Sequence, residues 1–171
     1  MAAPRGGRVF LVGFMGSGKT SVGALLAREI GCRFVDLDAE IERMSGLSIA
    51  DIFERDGEAE FRHLESLALR QTGALHDVVV ATGGGTLTRW ENRDFIQRNG
   101  VTVWLDAPFD TMLSRCKEGA RRPLLGSRDT MEALLAQRIG FYRGADLRVD
   151  AGSETPEELA RRIASRLADL V

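Results

Sequence analysis

Short apolar runs alternate along this chain with stretches in which apolar residues recur every three or four positions. Val9-Phe10-Leu11-Val12 and Val78-Val79-Val80-Ala81 are runs of the kind that fill a strand buried on both faces. The pattern predicts strands near 8–13, 33–36, 77–81, 101–105 and 147–150. Between the first two, Val22, Leu25, Leu26 and Ile30 recur at helical spacing, and Gly31 supplies a stop. Helices are predicted near 18–30, 38–45, 48–55, 58–73, 88–98, 109–117, 129–142 and 155–169. Alternation of this kind implies an α/β fold: a central five-stranded parallel sheet with helices on both faces, a three-layer sandwich. Ligands of such sheets gather beyond the carboxyl ends of the strands, so chemical motifs are expected just after strands.

Two segments interrupt the alternation. Residues 38–73 form a long helical insertion between the second and third strands. Residues 118–128 are basic, contain Pro123 and two glycines, and read as a mobile loop. No internal repeat or low-complexity linker divides the chain. A single domain over 1–171 is expected, with 8–36, 74–117 and 129–171 as its core. Residues 1–7 read as a short, loose tail without the apolar centre of a signal peptide.

Composition narrows the function. A chain of 171 residues suits one sizeable core. The net charge is −2, with acids and bases mixed, so no basic stripe points to nucleic acid. No apolar stretch is long enough for a membrane span. Cys32 and Cys116 are the only cysteines and form no metal-ligand spacing. Free thiols in a reducing compartment, and hence a cytoplasmic location, are the plain reading. No apolar segment is left over for an interface, so a monomer is expected.

The most specific motif is Gly13-Phe14-Met15-Gly16-Ser17-Gly18-Lys19-Thr20, which fits G-x-x-x-x-G-K-[ST] at every fixed position. Glycines bring backbone N–H groups up to phosphate oxygens. Lys19 adds a charge at the β- and γ-phosphates, and the Thr20 hydroxyl suits Mg²⁺. The following helix aims its positive dipole end at the same place. Strand, loop and helix occur in the required order.

Asp36-Leu37-Asp38 ends the second predicted strand. Strand alternation puts both carboxylates on one face. Phosphoryl transfer needs a metal ligand and a group that orients the attacking hydroxyl, which two such acids can supply. Asp38 as a simple helix N-cap is the alternative. Glu58, Arg62 and Glu65 share one helix face. On local sequence alone a surface ion-pair ladder is the simpler reading. The alternative is an arginine held by flanking acids to grip a substrate carboxylate. His63 and His76 read as ordinary histidines.

Gly83-Gly84-Gly85 follows the third strand, where backbone passing close to a ligand favours glycine; a flexible connector is the alternative. Arg121-Arg122-Pro123 lies in the loop 118–128. A closing lid that excludes water and brings an arginine to the γ-phosphate would protect ATP from hydrolysis. A solvated basic loop is the alternative. Arg115, Arg138 and Arg143 flank this segment, and Arg138 precedes Tyr142 by one helical turn.

In combination these residues resemble the shikimate kinase family from about Val9 to the end of the chain. The most specific parts are Phe34-Val35-Asp36-Leu37-Asp38, Ser48-Ile49 to Phe53, Gly57-Glu58-x-x-Phe61-Arg62-x-x-Glu65, Gly83-Gly84-Gly85 and Arg122-Pro123-Leu124. The resemblance implies a P-loop kinase fold, with 38–73 binding substrate and 118–128 as the lid. It implies transfer of the γ-phosphate of ATP to the 3-hydroxyl of shikimate, a step toward chorismate and the aromatic amino acids. Gly16, Ser17, Gly18, Lys19, Thr20 and Ser21 would hold ATP, with Arg115 near adenine and Glu154 in the adenine loop 150–156. Thr20 would bind Mg²⁺ directly and Asp36 through water. Asp38 would engage the acceptor hydroxyl, Arg62 and Arg138 the substrate carboxylate, and Gly83, Gly84 and Gly85 the ring hydroxyls. Lys19, Asp38 and Arg122 would be the catalytic residues.

Other classes fit less well. The Asn-Lys-x-Asp signature of guanine-specific switches is absent from the sequence. A non-catalytic ATP sensor has little use for Asp36 and Asp38 facing a lid arginine. A nucleotide acceptor needs a base pocket, whereas Asp38, Arg62 and the glycine triplet suit a small polyhydroxy acid, shikimate or a relative such as gluconate.

Overall fold

The computed structural model describes residues 5–118 and 126–170. Its sheet runs β2-β3-β1-β4-β5, with every neighbouring pair parallel. The strands are β1 (Arg8–Val12), β2 (Arg33–Asp36), β3 (Val78–Ala81), β4 (Val101–Asp106) and β5 (Leu147–Asp150). β1 and β3 are buried at every position, which explains their unbroken apolar runs. At the β5 edge Leu147 and Val149 are buried while Arg148 and Asp150 are exposed, the two-residue period of a half-covered strand.

The helices are α1 (Lys19–Ile30), α2 (Leu37–Ser45), α3 (Ile49–Arg55), α4 (Gly57–Gln71), α5 (Trp90–Asn99), α6 (Phe109–Glu118), α7 (Arg128–Tyr142) and α8 (Pro156–Ala168). Local chemistry sets their ends. Gly31 closes α1 in a left-handed conformation, Ser48 caps α3, and Ser127 caps α7. Thr155 and Glu158 form a reciprocal capping box at α8. α1 packs on α8 and β3, while α2, α3 and α4 pack on one another as the insertion.

Three details differ from the sequence reading. The chain tightens into 3₁₀ turns at Thr72–Ala74 and Thr86–Thr88, so α5 starts at Trp90 rather than near 88. Residues 5–7 are a 3₁₀ turn and not loose tail. The cause is Arg8, which is buried and donates to the carbonyls of Gly6, Thr72, Gly73 and Asn99. One guanidinium thus ties that turn to the carboxyl ends of α4 and α5. Finally, β2 stops at Asp36 and α2 begins at Leu37, so strand alternation does not govern Asp38.

Candidate active site

The loop between β1 and α1 wraps the start of the helix. Gly16 and Gly18 take left-handed φ values of 76° and 95°, which other residues reach only under strain. No side chain caps α1, so its first N–H groups belong to the loop's interior. Lys19 is buried, and its Nζ donates to the carbonyls of Gly13 at 2.8 Å and Phe14 at 2.9 Å. It also reaches Ser17 Oγ at 3.3 Å, and the Ser17 side chain lies beneath the loop. Ser17 is therefore placed to shape the loop through its side chain, not to offer its hydroxyl to the cavity.

That cavity has about 250 Å³. Gly16, Gly18, Lys19, Thr20, Ser21, Asp36, Asp38, Gly83 and Arg115 line it with Thr82. Thr20 Oγ1 donates to Asp36 Oδ2 at 2.6 Å. The other Asp36 oxygen accepts the N–H groups of Asp38 and Ala39, so Asp36, not Asp38, caps α2. This cap, rather than strand alternation, brings the two carboxylates together. Asp38 sits in the first turn of the helix, beside its positive end.

A second pocket of about 60 Å³ adjoins the first. Asp38 and Gly83 line both cavities and mark where they meet. Ile49, Phe53 and Phe61 form an apolar wall, with the two phenylalanine rings 4.8 Å apart. Arg62, Glu65, Arg138, Met15 and the triplet Gly83, Gly84 and Gly85 complete the lining.

The arginines are not surface groups. Arg62 is 8% exposed; its Nη1 donates to Glu65 Oε2 at 2.9 Å and its Nη2 to Glu58 Oε1 at 3.4 Å. Glu65 is fully buried and also accepts from the Thr86 hydroxyl at 2.6 Å. Both its oxygens are engaged, so the charge of Arg62 is only partly spent on it. Arg138 is 5% exposed with its guanidinium 5.9 Å from the Phe14 ring. Burial holds its pKa below the ordinary guanidinium value, partly offset by Tyr142. An arginine so placed stays charged and favours an anion.

The glycine triplet also has a steric cause within the protein. A Cβ on Gly83 would meet Glu65 Oε1 at 2.5 Å, and one on Gly85 would meet Arg62 Nη2 at 2.5 Å. On Gly84 it would lie 3.1 Å from the Met15 nitrogen and 3.5 Å from Arg138 Nη1. Glycine is required here so that two arginines and a glutamate can crowd against the loop. A flexible connector would show no such contacts.

Other expected residues lie elsewhere. Arg115 donates to the Gly16 carbonyl at 3.4 Å, at the phosphate cavity. Glu154 turns to Arg162 at 3.0 Å and lines neither cavity. Arg122, and residues 119–125 of the expected lid, lie outside the described residues. His63 and His76 are exposed. Cys32 and Cys116 form no disulfide with each other. The sequence reading did not assign Met15, Ile49, Phe53, Phe61 and Glu65 to the pocket. Ile49, Phe53 and Phe61 lie on α3 and α4 at the helical spacing that core residues also show, and Met15 lies in the phosphate loop.

Comparison with known proteins agrees with this geometry. The family model described as shikimate kinase matches residues 15–168. A shikimate kinase from Geobacter sulfurreducens is 47% identical, over 96% of this chain and 93% of that protein. One from Gloeobacter violaceus is 46% identical, over 96% of this chain and 97% of that protein. A solved shikimate kinase from Acinetobacter baumannii, in complex with shikimate, superposes with a TM-score of 0.93. It is 35% identical, over 98% of this chain and 94% of that one. With a nucleotide loop and a buried arginine pocket joined at Asp38, and with these near full-length matches, the chain belongs to the shikimate kinase family, an ATP-dependent kinase family.

Proposed function

We propose that the joined cavities transfer the γ-phosphate of MgATP to the 3-hydroxyl of shikimate, giving shikimate 3-phosphate and ADP. The observation that carries this reading is that Asp38 lines the phosphate cavity and the small arginine pocket together. A carboxylate at that junction can accept the hydroxyl proton while the oxygen attacks phosphorus. Lys19 and the first N–H groups of α1 stabilise the phosphates. Gly16, Gly18, Thr20, Ser21 and Arg115 complete the nucleotide side. Glu154 is assigned to the adenine loop, and Arg122, outside the described residues, to the transferred phosphate.

Arg62 and Arg138 grip the carboxylate of shikimate. Gly83, Gly84 and Gly85 offer backbone to its ring hydroxyls. Ile49, Phe53 and Phe61 cover the ring and keep out water. The residues 38–73 thus act as the substrate-binding part and 118–128 as the lid of one domain.

Mg²⁺ fits the donor set. Thr20 and Asp36 offer a hydroxyl and a carboxylate oxygen 2.6 Å apart, both hard donors. Among the described residues no cluster of three or more His, Cys, Asp or Glu could hold a metal alone. That suits an ion held mainly by phosphate and water. When bound, the ion neutralises charge that develops on the phosphates. Cysteines without a disulfide suit a reducing cytoplasm. Among the described residues no helix is long and apolar enough to cross a membrane.

Two variants test the roles. Asp38→Asn is expected to lower kcat by about 10²- to 10⁴-fold with nucleotide affinity nearly intact. Arg62→Ala is expected to raise KM for shikimate far more than KM for ATP. Normal turnover in the first, or equal KM effects in the second, contradicts the assignment.

A further inference from the structure

Behind the pocket stands a group that lines neither cavity. Tyr142, the last residue of α7, is 1% exposed, and its ring lies 6.1 Å from that of Trp104. A phenylalanine would fill that space as well, so the hydroxyl needs its own reason. It donates to the Gly84 carbonyl at 2.5 Å. The Arg138 guanidinium stands beside the same glycine, its Nη1 3.5 Å from where a Cβ on Gly84 would lie. Tyr142 thus holds the Gly84 carbonyl from behind the pocket, next to Arg138. Burial raises the phenol's pKa, so it stays neutral and able to donate.

This bond fixes a peptide plane. In a trans peptide the carbonyl of one residue and the N–H of the next point to opposite sides, and no described peptide bond is cis. Holding the Gly84 carbonyl therefore turns the Gly85 N–H away from Tyr142. Gly85 is buried and lines the pocket, and among the described residues nothing accepts a hydrogen bond from its N–H. Buried N–H groups are almost always paired, so this one suits an acceptor oxygen on a bound molecule. Without Tyr142 the triplet's backbone would be free to rotate, since glycine imposes little of its own.

We propose that Tyr142 is a positioning residue for the phosphoryl acceptor: its hydroxyl holds the Gly84 carbonyl beside Arg138 and so sets the pocket's backbone donor in register. The proposal rests on the reading of the small pocket as the shikimate site. It makes Tyr142 act on acceptor binding while contributing nothing to the nucleotide.

The test compares Tyr142→Phe with Thr72→Val, with wild type assayed alongside. Thr72 donates from a buried hydroxyl to the Leu69 carbonyl at the far end of the sheet, so its loss is purely structural. Tyr142→Phe is expected to raise KM for shikimate about tenfold. KM for ATP should stay within twofold, and kcat within threefold. Thr72→Val should lower Tm similarly with both KM values unchanged. 4-Aminophenylalanine at position 142 restores a donor and should recover most of the KM for shikimate.

An unchanged KM for shikimate in Tyr142→Phe overturns the proposal. So does an equal rise in both KM values, a matching rise in Thr72→Val, or failure of Tyr142→Phe to fold, which would make the hydroxyl structural. If wild type itself does not turn over shikimate, the acceptor reading fails first, an outcome distinct from all of these.

Discussion

Gly85→Ala adds one methyl group where Arg62 already stands. The backbone at Gly85 has φ −109° and ψ 3°, within reach of an L-residue, so the effect is steric. The new Cβ would lie 2.5 Å from Nη2 and 2.7 Å from both Cζ and Nη1 of Arg62. Ordinary contact begins near 3.5 Å, so the guanidinium must retreat by roughly 1 Å. It is not free to do so cheaply. Arg62 Nη1 is held to buried Glu65, which is itself held by Thr86. Overfilling of this kind costs about 1–3 kcal/mol. If that cost falls on the carboxylate grip, KM for shikimate rises about 5- to 150-fold. Gly85 does not line the phosphate cavity, so KM for ATP should stay within about twofold. Steady-state kinetics with each substrate varied in turn reads both constants. A folded Gly85→Ala enzyme with unchanged KM for shikimate would refute the reasoning, because Arg62 could then not be the grip that the geometry makes it.

Three further outcomes concern the scaffold. Gly140 is an exposed interior position of α7 with nothing within 4 Å of an added Cβ, so Gly140→Ala should stabilise by about 0.5–1 kcal/mol and raise Tm, as calorimetry would show. Arg8→Met keeps the stem but strands three carbonyls at two helix ends and that of Gly6; a loss of about 2–4 kcal/mol in denaturant unfolding, with kcat unchanged, is expected. Glu158 accepts from the Thr155 N–H, which lowers its pKa below the ordinary 4.5. A lowered carboxyl pKa adds stability above the unfolded value and loses it as pH falls through the folded one. The Tm gap between wild type and Glu158→Ala should therefore narrow below pH 4.5, and a constant gap from pH 7 to pH 3 would contradict the cap.

Much of this architecture is legible in the chain because burial leaves a period. β1 and β3, covered on both faces, read as unbroken apolar runs, and Ser48, Thr155 and Gly31 mark helix ends by their own hydrogen bonds or backbone needs. The phosphate loop is legible because its spacing has one physical use. What a one-dimensional pattern does not carry is what covers a helix face. Glu58, Arg62 and Glu65 spell an exposed ladder, yet the loop Gly83–Gly85 lies over Arg62 and Glu65 and buries them. Arg138 on α7 is no different from a surface arginine until Phe14 and Gly84 are seen against it; only family resemblance singled it out. Ile49, Phe53 and Phe61 enter only as motif residues, because a pocket wall and a core have the same helical spacing. Asp36 capping α2 and Tyr142 reaching Gly84 depend on where two elements meet, 58 residues apart in the second case.

The central claim is that the pocket joined to the phosphate loop at Asp38 accepts shikimate. A coupled ADP-release assay with MgATP, comparing shikimate with quinate, gluconate and AMP, tests it most directly. Turnover is expected with shikimate, and kcat/KM at least about 10²-fold lower for the others, as a pocket built to bind particular polar groups rejects poor matches. Preferred turnover of another acceptor, or ATP binding with no turnover of any, would contradict it.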